Sequence, residues 1–256
     1  MFFGIDLKTL FLFPVQDAES RRHFLIGCLV SLFAMIVPIL PYFFLMGYAA
    51  RIARQVFRNE PPRMTTWNDW RTLFIDGGRM FGARFIYTLP ILILILPLMI
   101  SFFILPFGMI YLEETADNAA ASSIFLLYFL AIMGFLTILA PISLVVSVIV
   151  PAAEMHAVSL SEFSAAFRVR EWWPIFRSNV GGFIATFAVY MLAALAASFL
   201  FQIVMISLIL TCQMPILLPV ITMYLVLIMY TTIAQAYREG KTRSSNIGTV
   251  PIPIPA

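Results

Sequence analysis

Asp69 and Asp76 stand seven residues apart in TTWNDWRTLFIDGGRMF, residues 65–81. Two carboxylates on one helix could share a metal ion or divide the acid and base roles of a hydrolytic step. Neither role has its usual company here. No histidine and no third carboxylate lies in the stretch, whereas Arg71 and Arg79 do, so ion pairing on a wet face is the expected use. The only two histidines, His23 and His156, could ligate the metal of a haem or chlorin through a neutral imidazole. Both adjoin apolar runs, neither lies in a ligand motif, and a membrane span between them would hold them a bilayer apart. No cofactor is therefore expected. Cys28 and Cys212 fall within or at the end of apolar runs and read as small buried residues. The chain has no P-loop, nucleophile elbow, zinc motif or dinucleotide fingerprint. No Asp, Glu, Lys, Arg or His occurs between Arg84 and Glu113, between Asp117 and Glu154, or between Arg177 and Arg238. A proton- or ion-coupled transporter would carry such groups inside its spans, and an intramembrane enzyme would need an activated nucleophile or a metal set. A chain that is not an enzyme is expected.

The elements that must position these residues follow from composition. Of 256 residues, 62% are hydrophobic and 11% charged, against about 25% charged in a soluble domain. The mean hydropathy is +0.96. The expected fold class is all-α, a polytopic transmembrane helix bundle. About five spans are long enough for some 30 Å of hydrocarbon, near 24–48, 81–105, 124–150, 183–210 and 216–237. Helices are the form in which each span satisfies its own backbone in lipid. One membrane domain then covers 1–237, opening with an interfacial segment at 1–22 and followed by a basic, then proline-rich tail at 238–256.

Arginine and lysine give the orientation. Arg51, Arg54, Arg58, Arg63, Arg71 and Arg79 lie in the first connection, Arg168, Arg170 and Arg177 in the third, and Arg238, Lys241 and Arg243 in the tail. These segments are expected in the cytoplasm of a prokaryotic cell, with the connections around Glu113 to Asp117 and Thr211 to Met214 outside. Five spans would put the N-terminus outside, yet Lys8, Arg21 and Arg22 favour the inside. If Pro38 and Pro41 break the first run into a re-entrant pair of half-helices, the conflict disappears.

The 65–81 stretch reads as an amphipathic helix on the cytoplasmic surface. Thr66 and Asp69 have the spacing of a capping box, Trp67, Trp70, Phe74 and Phe81 recur on one face, and Gly77 and Gly78 permit a bend or a close helix crossing before the next span. SLSEFSAAF, residues 159–167, repeats the pattern, with Ser159, Glu162 and Phe163 in the places of Thr66, Asp69 and Trp70. A second surface helix is expected there, and the two copies suggest a parallel repeat.

The run from Gly47 to Phe81 resembles the prokaryotic membrane family named domain of unknown function 4013. The resemblance is carried by Gly47 and Tyr48, Arg51 and Arg54, Pro62, Trp67, Asp69 and Trp70, then Asp76 and Gly77; Gly78 departs from it, where a bulkier apolar residue is expected. It implies a membrane architecture and no established activity. From the residues themselves, Arg51, Arg54, Arg58 and Arg79 are candidates for contact with anionic headgroups or a partner's acidic face, and Trp67, Trp70, Phe74, Phe163, Trp172 and Trp173 for interfacial anchors. The expected partners are membrane lipids and other membrane protein subunits, with no nucleic acid at a net charge of +3. An accessory or scaffold subunit is the leading functional expectation, and a permease or lipid-handling protein with an uncharged path the alternative.

Overall fold

A computed structural model describes residues 7–37, 39–115, 118–206 and 212–246. The expected outer connections at Asp117 and Thr211, and the tail beyond 246, lie outside the described residues. Among the described residues eight α-helices follow one another: α1 Leu7–Leu12, α2 Ala18–Phe33, α3 Leu40–Phe57, α4 Trp70–Thr115, α5 Asn118–Leu160, α6 Val169–Ser178, α7 Val180–Ile206 and α8 Met214–Asn246, with a 3-10 turn at Ser164–Phe167. Among the described residues there is no strand, and the expected helical membrane bundle holds. Among the described residues four helices are long and apolar enough to cross a membrane: α4 over Trp70–Leu105, α5 over Ser122–Leu160, α7 and α8.

The fifth expected span, 24–48, is not one helix. Its apolar run divides into α2, ending at Phe33, and α3, beginning at Leu40, and Pro41 sits at the start of α3, where a missing N–H costs nothing. Trp67 hydrogen-bonds the carbonyl of His23 on α2 and stacks on Tyr48 of α3. The two helices therefore run back along one another as a hairpin. Met35, Ile36 and Val37 at its tip are exposed, Ile36 to 76%. An apolar tip on a returning hairpin matches the pair of half-helices expected as the alternative to a single helix over 24–48.

The chain divides into two compact units, one made of 1–84 with 148–256 and one of 85–147. In the first, α8 is the central post, packed by α2, α3, α6 and α7. Its main core joins Phe24, Leu45, Tyr48, Trp67, Leu73 and Met223. In the second, the outer parts of α4 and α5 are linked by Ser101 Oγ and Tyr128 Oη at 2.8 Å. Thr137, Ser143 and Ser147 bond carbonyls of their own helix, and large apolar side chains such as Ile93, Phe103 and Leu127 face outward.

Helix ends correct two sequence expectations. Asp69, with φ 60°, is itself the cap of α4: its carboxylate accepts from the Thr72 N–H at 3.3 Å and the Thr72 hydroxyl at 2.5 Å. These bonds hold the Asp69 carboxyl below the usual carboxylate range. Thr66 caps nothing, since its place in the box lies three residues too early. From Trp70 the helix continues without a break into the span, so the expected surface helix and the second span are one element. The second copy is likewise displaced. Ser159 lies in the last turn of α5 and donates to the carbonyl of His156. The second surface helix is α6, which buries Trp172, Ile175 and Phe176 and turns its charges outward. A likeness between the two segments survives in their ends. Asn59 and Ser161 both take left-handed backbone, and the N–H groups of Glu60 and Glu162 reach back to Gln55 and Ala157 to close α3 and α5.

Candidate functional site

Several ionisable groups of the first unit gather where α3, α4, α5, α6 and α8 meet. Gly47 and Gly77 make the first junction possible. A Cβ on Gly47 would collide with the carbonyl of Leu73, and one on Gly77 with the carbonyl of Phe43. α3 and α4 thus touch backbone to backbone. That contact sets Asp76, 4% exposed, against Arg54 of α3 at 2.5 Å and Arg79 of its own helix at 3.0 Å. Arg54 extends further to the Ser161 hydroxyl at 3.4 Å. One guanidinium therefore joins the first and third connections. Arg51 closes the loop before α4 by donating to the carbonyls of Thr66 and Asn68.

A second pair lies deeper. Arg84 of α4 grips Glu154 of α5 through two parallel bonds, Nε to Oε1 at 2.5 Å and a terminal nitrogen to Oε2 at 2.9 Å, and Glu154 is 0% exposed. The same guanidinium lies over the ring of Tyr230 on α8, 5.6 Å from its centroid. Such a fork neutralises both charges and fixes their geometry. Ala83, Ala157 and Ala166 form a cluster of buried small side chains, which lets the backbones approach. A third set joins His156 of α5 to Tyr237 of α8 at 2.7 Å and to Glu171 of α6 at 3.1 Å. Asn179, Ser178 and Arg238 complete the closure through the carbonyls of Ala236, Gly240 and Val56.

A family model described as "Protein of unknown function (DUF4013)" matches residues 30–210, well over half of the chain. The chain belongs to this family. No curated protein and no solved structure matches. Of the residues that carried the resemblance to DUF4013, Gly47 and Gly77 are the two whose missing Cβ the crossing requires, Arg54 and Asp76 are paired, and Tyr48 stacks on Trp67 with ring centroids 4.1 Å apart. In this DUF4013 chain the signature residues hold α3, α4 and the loop between them to one another.

The other candidate site residues divide. Trp67, 6% exposed, lies in the core, where its indole N–H donates to the His23 carbonyl at 2.8 Å. Trp172, 3% exposed, is likewise enclosed and donates to Ala166. Trp70, at 45% exposure, together with Phe74, Phe163 and Trp173 turns a face outward. Arg58 donates to the Arg54 carbonyl at 3.4 Å and lies 3.5 Å from the Glu60 carboxylate. The Arg84–Glu154 pair escaped the sequence reading. Its signal was the base opening one long apolar run and the acid closing the next, positions that two antiparallel helices bring level.

Proposed function

We propose that this membrane protein is a non-catalytic accessory or scaffold subunit of a membrane complex, seated in the cytoplasmic membrane of a prokaryote with its basic connections inward. The observation that carries the reading is how the chain divides its surfaces. Asp76, Glu154 and His156 each bind partners within the chain, tying one end of the bundle together. By contrast, almost none of the apolar windows of α4, α5 and α7 is covered by the chain itself, against 44% of that of α8. A helix left apolar on its open faces is dissolved by lipid or by another apolar helix, and a rigid end that holds such helices in place suits an assembling role. Ala188 and Ala196 lie exposed on α7, where small side chains permit close approach by a neighbouring helix.

Photo-reactive residues placed singly at Ile93, Leu192 and Ile203, all exposed, test this in native membranes. One discrete protein adduct, the same from more than one position, is expected. Adducts to lipid alone from all three would contradict the subunit role and favour a protein that works by itself.

A further inference from the structure

A groove of about 650 Å³ runs between the first turns of α2 and the segment that leads into α4, within the usual range of about 300–1,000 Å³ for small-ligand sites. Glu19, Arg22 and Ile26 form one wall, Asn68 and Trp70 the other, and Trp67 lies between them. Arg22 is exposed and has no hydrogen bond or ion pair among the described residues. Glu19 keeps most of its carboxylate in the open, 78% exposed, with only His23 nearby at 3.6 Å. The groove therefore offers one unneutralised cation and one accessible anion, three residues apart on one helix face. From Arg22 that face continues through Leu25, Leu29 and Phe33, all exposed, toward the apolar hairpin tip. The twelve residues of helix from Arg22 to Phe33 rise about 16 Å, close to half of a hydrocarbon core of about 30 Å. Trp70, on the opposite wall of the groove, packs its ring 5.4 Å from that of Phe44.

We propose that this groove binds a zwitterionic glycerophospholipid, its phosphate against Arg22, its ammonium group against Glu19, and one acyl chain along Leu25, Leu29 and Phe33. A purely anionic headgroup satisfies Arg22 but meets the Glu19 carboxylate, and a soluble phosphate compound leaves the apolar stripe uncovered. The site stands whether or not a partner subunit is found.

Native mass spectrometry of the full chain in mild detergent, with equal amounts of phosphatidylethanolamine and phosphatidylglycerol bearing the same acyl chains, tests it. One phosphatidylethanolamine is expected to stay bound, and Arg22→Gln and Glu19→Gln should each cut its retention roughly tenfold. Arg21→Gln removes a neighbouring charge outside the groove lining and should leave retention unchanged. Equal retention of both lipids, no retained lipid, or an equal loss in Arg21→Gln overturns the proposal. So does displacement of the lipid by an equal concentration of free phosphoethanolamine, which would mark the groove as a site for a soluble compound.

Discussion

A guanidinium left alone in an apolar interior costs more than the pair it came from. Glu154 is fully enclosed, so Glu154→Gln strips Arg84 of its counter-charge while leaving the cation in place. The expected loss is about 3–5 kcal/mol, read as a lower unfolding temperature in detergent. Replacing both, as Arg84→Met with Glu154→Leu, should restore most of it, because no charge then remains to be desolvated. A single variant as stable as the parent would show that water reaches the pair. Neither residue was legible as a pair in the sequence, because each stood at the edge of an apolar run where a solvated charge is the ordinary reading. The tryptophans misled for a related reason. Residue type placed Trp67 at the membrane surface, but the His23 carbonyl supplies inside the chain the hydrogen bond that an interface would otherwise provide.

At the scale of elements, two adjacent glycines separate local conformation from packing. Gly77 faces the Phe43 carbonyl and the Gly47 nitrogen, whereas a Cβ on Gly78 would meet nothing within 4 Å. Both lie inside the unbroken α4. Gly77→Ala should therefore cost about 1–3 kcal/mol or more, since backbone cannot step aside as a side chain can. Gly78→Ala should be neutral or gain up to about 1 kcal/mol from helix propensity. Thermal unfolding of the two variants side by side checks this, and equal effects would contradict the backbone crossing. That a close crossing was possible could be read from the sequence. Its partner, Gly47, could not, because periodicity gives the face of a helix but not the helix it meets. The same limit hid the unity of α4: a charged amphipathic stretch followed by an apolar run looks like two elements, and only the continuous backbone bonds join them.

For the molecule as a whole, the hydropathy of the chain was enough to establish a helical membrane protein, and the clustering of arginines was enough to foresee that three connections lie together. Arg54 to Ser161, Arg238 to Val56 and Ser178 to Gly240 are the contacts that bring them to one end. The count of five spans failed at 24–48, where the run is long enough for one crossing but its prolines and exposed tip make a returning hairpin. The outward apolar faces give the molecule its proposed role, and they were invisible in the sequence because burial against self and burial in lipid select the same side chains.

The most direct test is the mass of the particle that this chain forms when extracted from its native membrane in mild detergent. The account predicts a discrete assembly containing a second protein in fixed ratio, unchanged across preparations. A particle holding only copies of this chain, in every preparation, would contradict it.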